Sequence, residues 1–222
     1  MRTFGFSEFI FLLAGLRWTV LLSLIAFTGG ILFGFLIALA RISRWPVLRF
    51  LSIGYIQLFQ GTPLLIQLFI AYYGFSVLLN LKIDAWTAVS LAFTLYAAAY
   101  LGEIWRGAIQ SIPRQQWESA ECIALNYFDQ LRFVILPQAF RIAVPPTVGF
   151  LVQLIKGTSV ASIIGFVELT RAGQLMTNVT FQPMTIFPIV AVLYFLICWP
   201  LSRLGKTLER RFDVARGITQ GI

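Results

Sequence analysis

The sequence contains a stretch from Trp18 to Ala40 that carries no charged residue between Arg17 and Arg41. An α-helix needs about 20 predominantly apolar residues to cross the hydrocarbon core of a bilayer, so this stretch is long enough to span it. It is too long for the apolar region of a secretory signal peptide, and Arg41 and Arg44 follow it like a stop signal. We therefore expect the chain to fold as membrane-spanning helices, in which every backbone polar group is hydrogen-bonded within the segment.

Composition supports a membrane protein and excludes most soluble enzymes. Of the 222 residues, 59% are hydrophobic and 12% are charged, whereas a soluble domain has about 25% charged residues. The chain has no histidine and only two cysteines, Cys122 and Cys198. A Cys/His metal site cannot be assembled from these residues. We predict no catalytic residue, no metal site, no disulfide and no cofactor bound by this chain.

Four further apolar stretches complete a prediction of five membrane spans in a single all-α domain over residues 1–222. The second span follows a break at Gln60-Gly61-Thr62-Pro63, where a short segment on the membrane surface ends, because Pro is tolerated in the first turn of a helix. The third ends near Glu103 and Arg106, and the fourth contains Pro145-Pro146. The five predicted spans are residues 18–40, 62–79, 86–109, 139–155 and 184–201.

Basic residues predict the orientation of the chain. Most of the 17 Lys and Arg residues fall in the connections that follow spans one, three and five. Cytoplasmic connections carry an excess of Lys and Arg, so these connections are expected on the cytoplasmic side. The N-terminus is then outside and the C-terminus cytoplasmic. Because membrane orientation accounts for the net charge of +8, that charge does not indicate a nucleic-acid partner.

The connection between spans three and four predicts a cytoplasmic helix of about five turns, residues 113–131. Apolar residues recur there at steps of three or four, which is typical of a helix with one apolar stripe; they are Trp117, Ala120, Ala124, Tyr127 and Leu131. From Gln115 to Gln130 there are three acidic residues and no basic one. An acidic helix suits an anionic membrane surface poorly. We expect it to dock on another protein, with a lipid-facing helix as the alternative.

The same segment resembles a known family. The segment reads Glu118-Ser119-Ala120, three residues, Ala124, nine residues, then Val134-Ile135-Leu136-Pro137. This pattern is similar to the cytoplasmic loop of binding-protein-dependent ABC importer permeases, which reads Glu-Ala-Ala, x3, Gly, x9, Ile-x-Leu-Pro. Further stretches in the family's order are Gly61–Phe69, Glu103–Ser111, Leu136–Arg141, Lys156–Ser159 and Glu168–Thr170. The resemblance covers roughly residues 10–212 and indicates the polar amino acid group, which imports histidine, arginine, glutamine or glutamate. Ala124 replaces a Gly that could supply a left-handed turn, so we expect a straighter helix.

This resemblance implies one permease of a type I ABC importer in the bacterial inner membrane. Two permeases, identical or sister chains, line the pathway through the lipid; two ATPase subunits drive it, and an extracytoplasmic solute-binding protein delivers the amino acid. The loop helix would be the coupling helix. Its ATPase-docking residues would be Glu118, Ser119, Ala120, Glu121, Ala124 and Leu125, with Glu118 paired to a basic residue of the ATPase.

The chain is not expected to hydrolyse ATP itself. Gly205-Lys206-Thr207 looks like the end of a P-loop, but Pro200 stands where the motif needs Gly, and a membrane helix replaces the required strand. ATP and Mg²⁺ would therefore be bound by the partner ATPase.

Polar residues at membrane depth are costly unless they are paired or functional, so they are candidates for the substrate pathway. The candidates are Gln67 and Gln153 within the spans and, in the outer connection that follows span four, Lys156, Thr158, Ser159 and Glu168. The alternative is that Lys156 reaches to the interface and Glu168 caps a helix locally. Gly30 and Gly34 in span one predict a close helix–helix contact.

Two other functions remain open from the residues alone. A self-contained secondary transporter or channel predicts two internal halves of matching hydropathy, and the sequence shows no such repeat. A non-transporting membrane scaffold is the other alternative. Neither accounts for an acidic, small-residue helix held between two spans.

Overall fold

A computed structural model describes residues 5–74, 77 and 83–215, with side chains described up to residue 212. Within these residues all regular secondary structure is helical. The α-helices are α1 (Phe6–Ile42), α2 (Pro46–Gly61), α3 (Leu64–Phe69), α4 (Ala85–Gln110), α5 (Arg114–Cys122), α6 (Tyr127–Asp129), α7 (Leu136–Gly157), α8 (Leu169–Thr180) and α9 (Pro183–Ala215). π-Helical turns follow α3 (Ile70–Gly74) and α6 (Gln130–Ile135), and a 3₁₀ segment follows α7 (Thr158–Ile164).

Helices α1 and α4 run parallel and form the centre of the molecule. Their N-terminal halves meet at Trp18 and Trp86, whose ring centroids are 5.3 Å apart, and their C-terminal halves meet at Phe35 and Trp105, at 5.4 Å. Between these aromatic pairs the backbones approach so closely that a Cβ on Gly34 would lie 2.9 Å from the backbone of α4. The predicted small-residue contact of span one is confirmed.

The segment between α1 and α4 is sharply bent. Helices α2 and α3 meet at an angle of 104°, and the side chain of Gln67 holds the bend by donating hydrogen bonds to the carbonyl groups of Phe59 (2.8 Å) and Thr62 (3.0 Å). The break falls at the expected position, because Pro63 has an extended backbone and helix α3 begins after it. Helix α2 is longer than the predicted surface segment, and the end of predicted span two lies outside the described residues.

Helix α7 packs on α4, and α9 packs on α7. Phe150 of α7 stacks on Tyr100 of α4, with ring centroids 5.5 Å apart, and Phe140 lies against Trp105. Helix α9 continues well beyond the predicted end of span five and lies antiparallel to α7, with Gly205 beside Val148. In the part of the chain that the structure describes, four helical stretches are long and apolar enough to cross a membrane, or five if α2 and α3 form one broken span.

Candidate functional site

Helix α5 occupies the position of the cytoplasmic helix that the sequence predicts, but it is shorter. It ends at Cys122, and Ala124 adopts a left-handed conformation with φ of 59°. Two backbone hydrogen bonds close the turn, from Ala124 N–H to Glu121 O (2.9 Å) and from Leu125 N–H to Ala120 O (3.2 Å). The expectation that Ala124 straightens the helix is therefore wrong. These hydrogen bonds satisfy carbonyl groups at the helix end and offset the cost of a left-handed Ala, about 1–2 kcal/mol.

A new helical segment starts immediately after this turn. The side chain of Asn126 accepts a hydrogen bond from the Asp129 N–H (3.0 Å), which is the usual way to cap a helix N-terminus. The segment continues through the π-helical turn into α7. Trp117 of α5 packs across the break against Tyr127, with ring centroids 6.2 Å apart. The loop is thus two helices folded against each other, and the continuous helix over 113–131 is not observed.

Exposure divides the predicted docking residues into two groups. Glu118, Ser119, Glu121 and Ala124 are exposed and Leu125 is half-buried. Ala120 is only 3% exposed. It is therefore covered by its own chain, and the exposed surface of the helix is formed by the other residues of the set.

Two large apolar side chains that the sequence analysis did not select lie beside the exposed acidic residues. Ile123 is 70% exposed and Phe128 is 79% exposed. Both fall outside the apolar stripe, which is why periodicity did not single them out. Apolar side chains exposed beside polar ones are typical of protein contact surfaces. We call the exposed set Glu118, Ser119, Glu121, Ile123, Ala124 and Phe128 the docking face.

Glu118 already has a partner within the chain. Its Oε1 lies 2.9 Å from Nε of Arg114, one turn earlier in α5, and both side chains are largely exposed. An exposed pair of this kind contributes only a few tenths of a kcal/mol. The pair therefore leaves Glu118 available to a stronger basic partner.

Glu168, one of the predicted substrate-pathway residues, is fully buried. Its carboxylate caps α8 by accepting hydrogen bonds from the N–H groups of Thr170 and Arg171 (both 2.8 Å). The hydroxyl groups of Tyr194 (2.9 Å) and Thr19 (3.5 Å) donate to the same carboxylate. Burial raises the pKa of this carboxyl group above its usual value, although the hydrogen bonds oppose that shift. The geometry favours the capping role over contact with a substrate.

The other five pathway candidates are dispersed. Gln67 holds the bend between α2 and α3. The hydroxyl groups of Thr158 and Ser159 donate to carbonyl groups of the preceding turn, at 2.7 and 2.8 Å. Only Gln153 and Lys156 lie exposed on one side of α7, and Lys156 borders an apolar groove against α9. The chain by itself does not bring the six residues together in one site.

We expect Glu168→Ala to lower the stability of the protein without removing any exposed surface. The substitution leaves the N–H groups of Thr170 and Arg171 without the carboxylate that accepts their hydrogen bonds, and each unsatisfied buried group costs about 1–3 kcal/mol. Thermal unfolding of the detergent-solubilised protein should show a clearly lower midpoint. Ser159→Ala, which removes an exposed local hydrogen bond, is the control and should leave the midpoint unchanged. Equal midpoints for wild type and Glu168→Ala would contradict the capping role.

The fold defines a helical protein with several helices long and apolar enough to cross a membrane among the described residues. The sequence matches the family described as "Binding-protein-dependent transport system inner membrane component" over residues 30–214. The chain belongs to this family of membrane permeases. It is a multi-pass component of the bacterial inner membrane, and the family match supports a permease over a scaffold or a self-contained transporter. The match to a translocation subunit also agrees with the helical setting of Gly205-Lys206-Thr207, which lie within α9 rather than in a P-loop.

Individual relatives agree with the family. The chain is 36% identical to a probable amino-acid ABC transporter permease, YckA, of Bacillus subtilis, covering 93% of this chain and 91% of the relative. It is 38% identical to the L-cystine permease TcyB of the same organism, covering 90% and 85%. It is 33% identical to the glutamine permease GlnP of Escherichia coli, covering 91% and 93%.

Solved structures show the same fold. A crystal structure of an amino acid ABC transporter with histidines matches with a TM-score of 0.86 and 31% identity, over 95% of this chain and all of the other. The MetNI methionine ABC transporter matches with a TM-score of 0.73 and 18% identity, over 92% and 99%.

Proposed function

We propose that this chain is one permease of a type I ABC importer that moves a polar amino acid into the cytoplasm. The observation that carries the proposal is α5, an exposed acidic helix fixed between α4 and α7. A rigid helix held at both ends transmits a displacement of its partner to the spanning helices, as alternating access requires. The names of the relatives, which refer to cystine and glutamine transport, support a polar amino acid as the substrate.

The proposed topology has five spans, with the N-terminus outside and the C-terminus cytoplasmic. Because α1 and α4 run parallel, the chain must recross the membrane between them, and the bent pair of α2 and α3 is the segment available. Helices α7 and α9 then run in opposite directions. The excess of Lys and Arg at the C-terminal ends of α1, α4 and α9 and in the connections that follow supports a cytoplasmic location for those ends.

The proposed assembly contains two permeases, two ATPase subunits and an extracytoplasmic solute-binding protein. ATP and Mg²⁺ are bound by the ATPase, which contacts the docking face. Gln153 and Lys156 are the pathway residues that we retain, because both are exposed on α7 and can face a second permease. The substrate would contact these two residues in a pathway that is lined by both permeases.

Reconstitution tests the function directly. The permease is placed in liposomes with its cognate ATPase and solute-binding protein, and a panel of labelled amino acids is supplied outside. We expect uptake of a polar amino acid that requires ATP inside and binding protein outside. Omitting either protein should reduce uptake to the background of empty liposomes, and Gln153→Ala should weaken uptake in the complete system. Uptake by the permease alone, without ATP, would overturn the proposal.

A further inference from the structure

A cavity lies where the connection between α1 and α2, the end of α4 and the start of α5 meet. Its volume is about 680 Å³. Arginines from three different helices line it, Arg41 from α1, Arg49 from α2 and Arg114 from α5, together with the aromatic rings of Trp117 and Tyr127. We call this cavity the arginine pocket. It lies apart from Gln153 and Lys156, so it is not the proposed substrate pathway.

The arginine pocket carries an excess of positive charge. Besides the three lining arginines, the guanidinium of Arg44 lies 4.8 Å from the ring centroid of Tyr127. Two acidic residues lie close. Glu118 pairs with Arg114, and Glu103, which is within electrostatic range of Arg41, is held by two hydrogen bonds from Arg106. Because Glu103 is hydrogen-bonded to Arg106, it offsets the charge of Arg41 only in part.

Arg41 also has an unused hydrogen-bond donor. Its Nε is buried and has no hydrogen-bond partner among the described residues. A buried donor without an acceptor is costly, more so when it belongs to a charged group. The planar guanidinium group donates in a fork that fits the oxygens of a phosphate group. A phosphate-bearing ligand would satisfy this donor.

The apolar part of the arginine pocket identifies the kind of phosphate compound. Ile42, Ile109 and Ile112 share its lining with the arginines. Next to it, the start of α2 exposes Trp45 and Phe50, at 72% and 75%. A free phosphate ion gains nothing from apolar side chains, whereas an amphiphile with an anionic headgroup can contact both the arginines and the apolar side chains. Exposed Trp and Tyr at such a boundary are typical of the membrane interface.

We propose that the arginine pocket binds the phosphate headgroup of an anionic phospholipid, such as phosphatidylglycerol, from the cytoplasmic leaflet. The side of the membrane rests on the orientation given under the proposed function. Basic pockets between helices on the cytoplasmic side are suited to anionic headgroups. A headgroup here bridges Arg41 and Arg49 of the spanning helices to Arg114 of α5. It thereby ties the helix that carries the docking face to the bilayer.

Native mass spectrometry of the full-length permease in detergent tests this site. The protein is titrated with phosphatidylglycerol or with phosphatidylcholine of the same acyl chains. We expect one phosphatidylglycerol molecule to remain bound under conditions that remove phosphatidylcholine. Each of Arg41→Gln and Arg49→Gln should weaken that binding about fivefold, because one basic residue near an anionic surface contributes about 1 kcal/mol. Arg211→Gln, which removes an exposed arginine from the end of α9, is the matched control and should bind like wild type.

Competition separates the lipid from other sources of phosphate. Excess inorganic phosphate should not displace the bound phosphatidylglycerol; displacement would overturn the proposal in favour of a soluble phosphate ligand. Equal retention of both lipids by wild type, or equal binding by Arg49→Gln and wild type, would also overturn it. If Arg41→Gln does not fold, Arg41→Lys, which keeps the charge, replaces it in the titration. Because no transport is measured, a failed uptake assay contradicts the proposed function and leaves this result standing.

Discussion

Gly34→Leu is expected to prevent the permease from folding. A Cβ at this position would lie 2.9 Å from both the carbonyl O of Ala98 and the N of Gly102, which are backbone atoms of α4. Backbone cannot rotate away as the end of a flexible side chain can, so α1 and α4 would have to separate. Their contact is the centre of the fold, since it includes the aromatic pairs at both ends. Size-exclusion chromatography of the membrane extract should show aggregate in place of a single peak.

Gly34→Ala is a smaller change at the same position, and Gly54→Ala is its matched control. Gly54 in α2 has no atom within 4 Å of an added Cβ, so Gly54→Ala should stabilise its helix by up to about 1 kcal/mol. Gly34→Ala brings the same gain in helix propensity but overpacks the contact, at a cost of about 1–3 kcal/mol. Thermal midpoints of the two variants should therefore move in opposite directions. A single, monodisperse peak for Gly34→Leu at wild-type yield would refute the close contact.

The long elements could be predicted from the sequence because their physical cause is local. A helix that crosses a bilayer must satisfy its own backbone within an apolar run, and the run from Trp18 to Ala40 meets that requirement. The close helix–helix contact at Gly30 and Gly34 could also be predicted, because small residues one turn apart on an apolar helix are typical of such contacts. The break at Gly61-Thr62-Pro63 follows from the restricted backbone of Pro.

The features that could not be predicted depend on contacts between distant residues. Glu168 is polar and lies in the predicted outer connection between spans four and five, but only the fold shows that Thr19 and Tyr194 meet its carboxylate. Ala120 has the same local appearance whether it faces a partner or its own chain. The break after Cys122 is an intermediate case. Asn126 followed by Asp129 is a recognisable N-terminal cap. Ala124, however, has a high helix propensity, which favours a continuous helix over a break at this position.

Ile123→Asp is expected to detach the ATPase and abolish coupled transport. Ile123 is 70% exposed in the docking face, so its side chain contributes little to the stability of the permease itself. In an assembled importer it would be buried against the ATPase, where a carboxylate without a partner is strongly unfavourable. Central residues of protein interfaces cost about 2 kcal/mol or more when they are replaced, which corresponds to roughly 30-fold weaker association. Co-purification of ATPase with tagged permease should fall accordingly, and ATP-driven uptake should fall with it.

The conservative variant Ile123→Leu separates a lost contact from a damaged fold. It keeps an apolar side chain of the same size, so ATPase should co-purify and uptake should continue at close to the wild-type level. Ile123→Asp must also elute as a single peak, because the residue lies outside the core. Together these results would tie transport to the docking face at the C-terminal end of α5. If Ile123→Asp retains the ATPase at wild-type yield, the docking face is not the contact surface, and force must enter the spanning helices elsewhere.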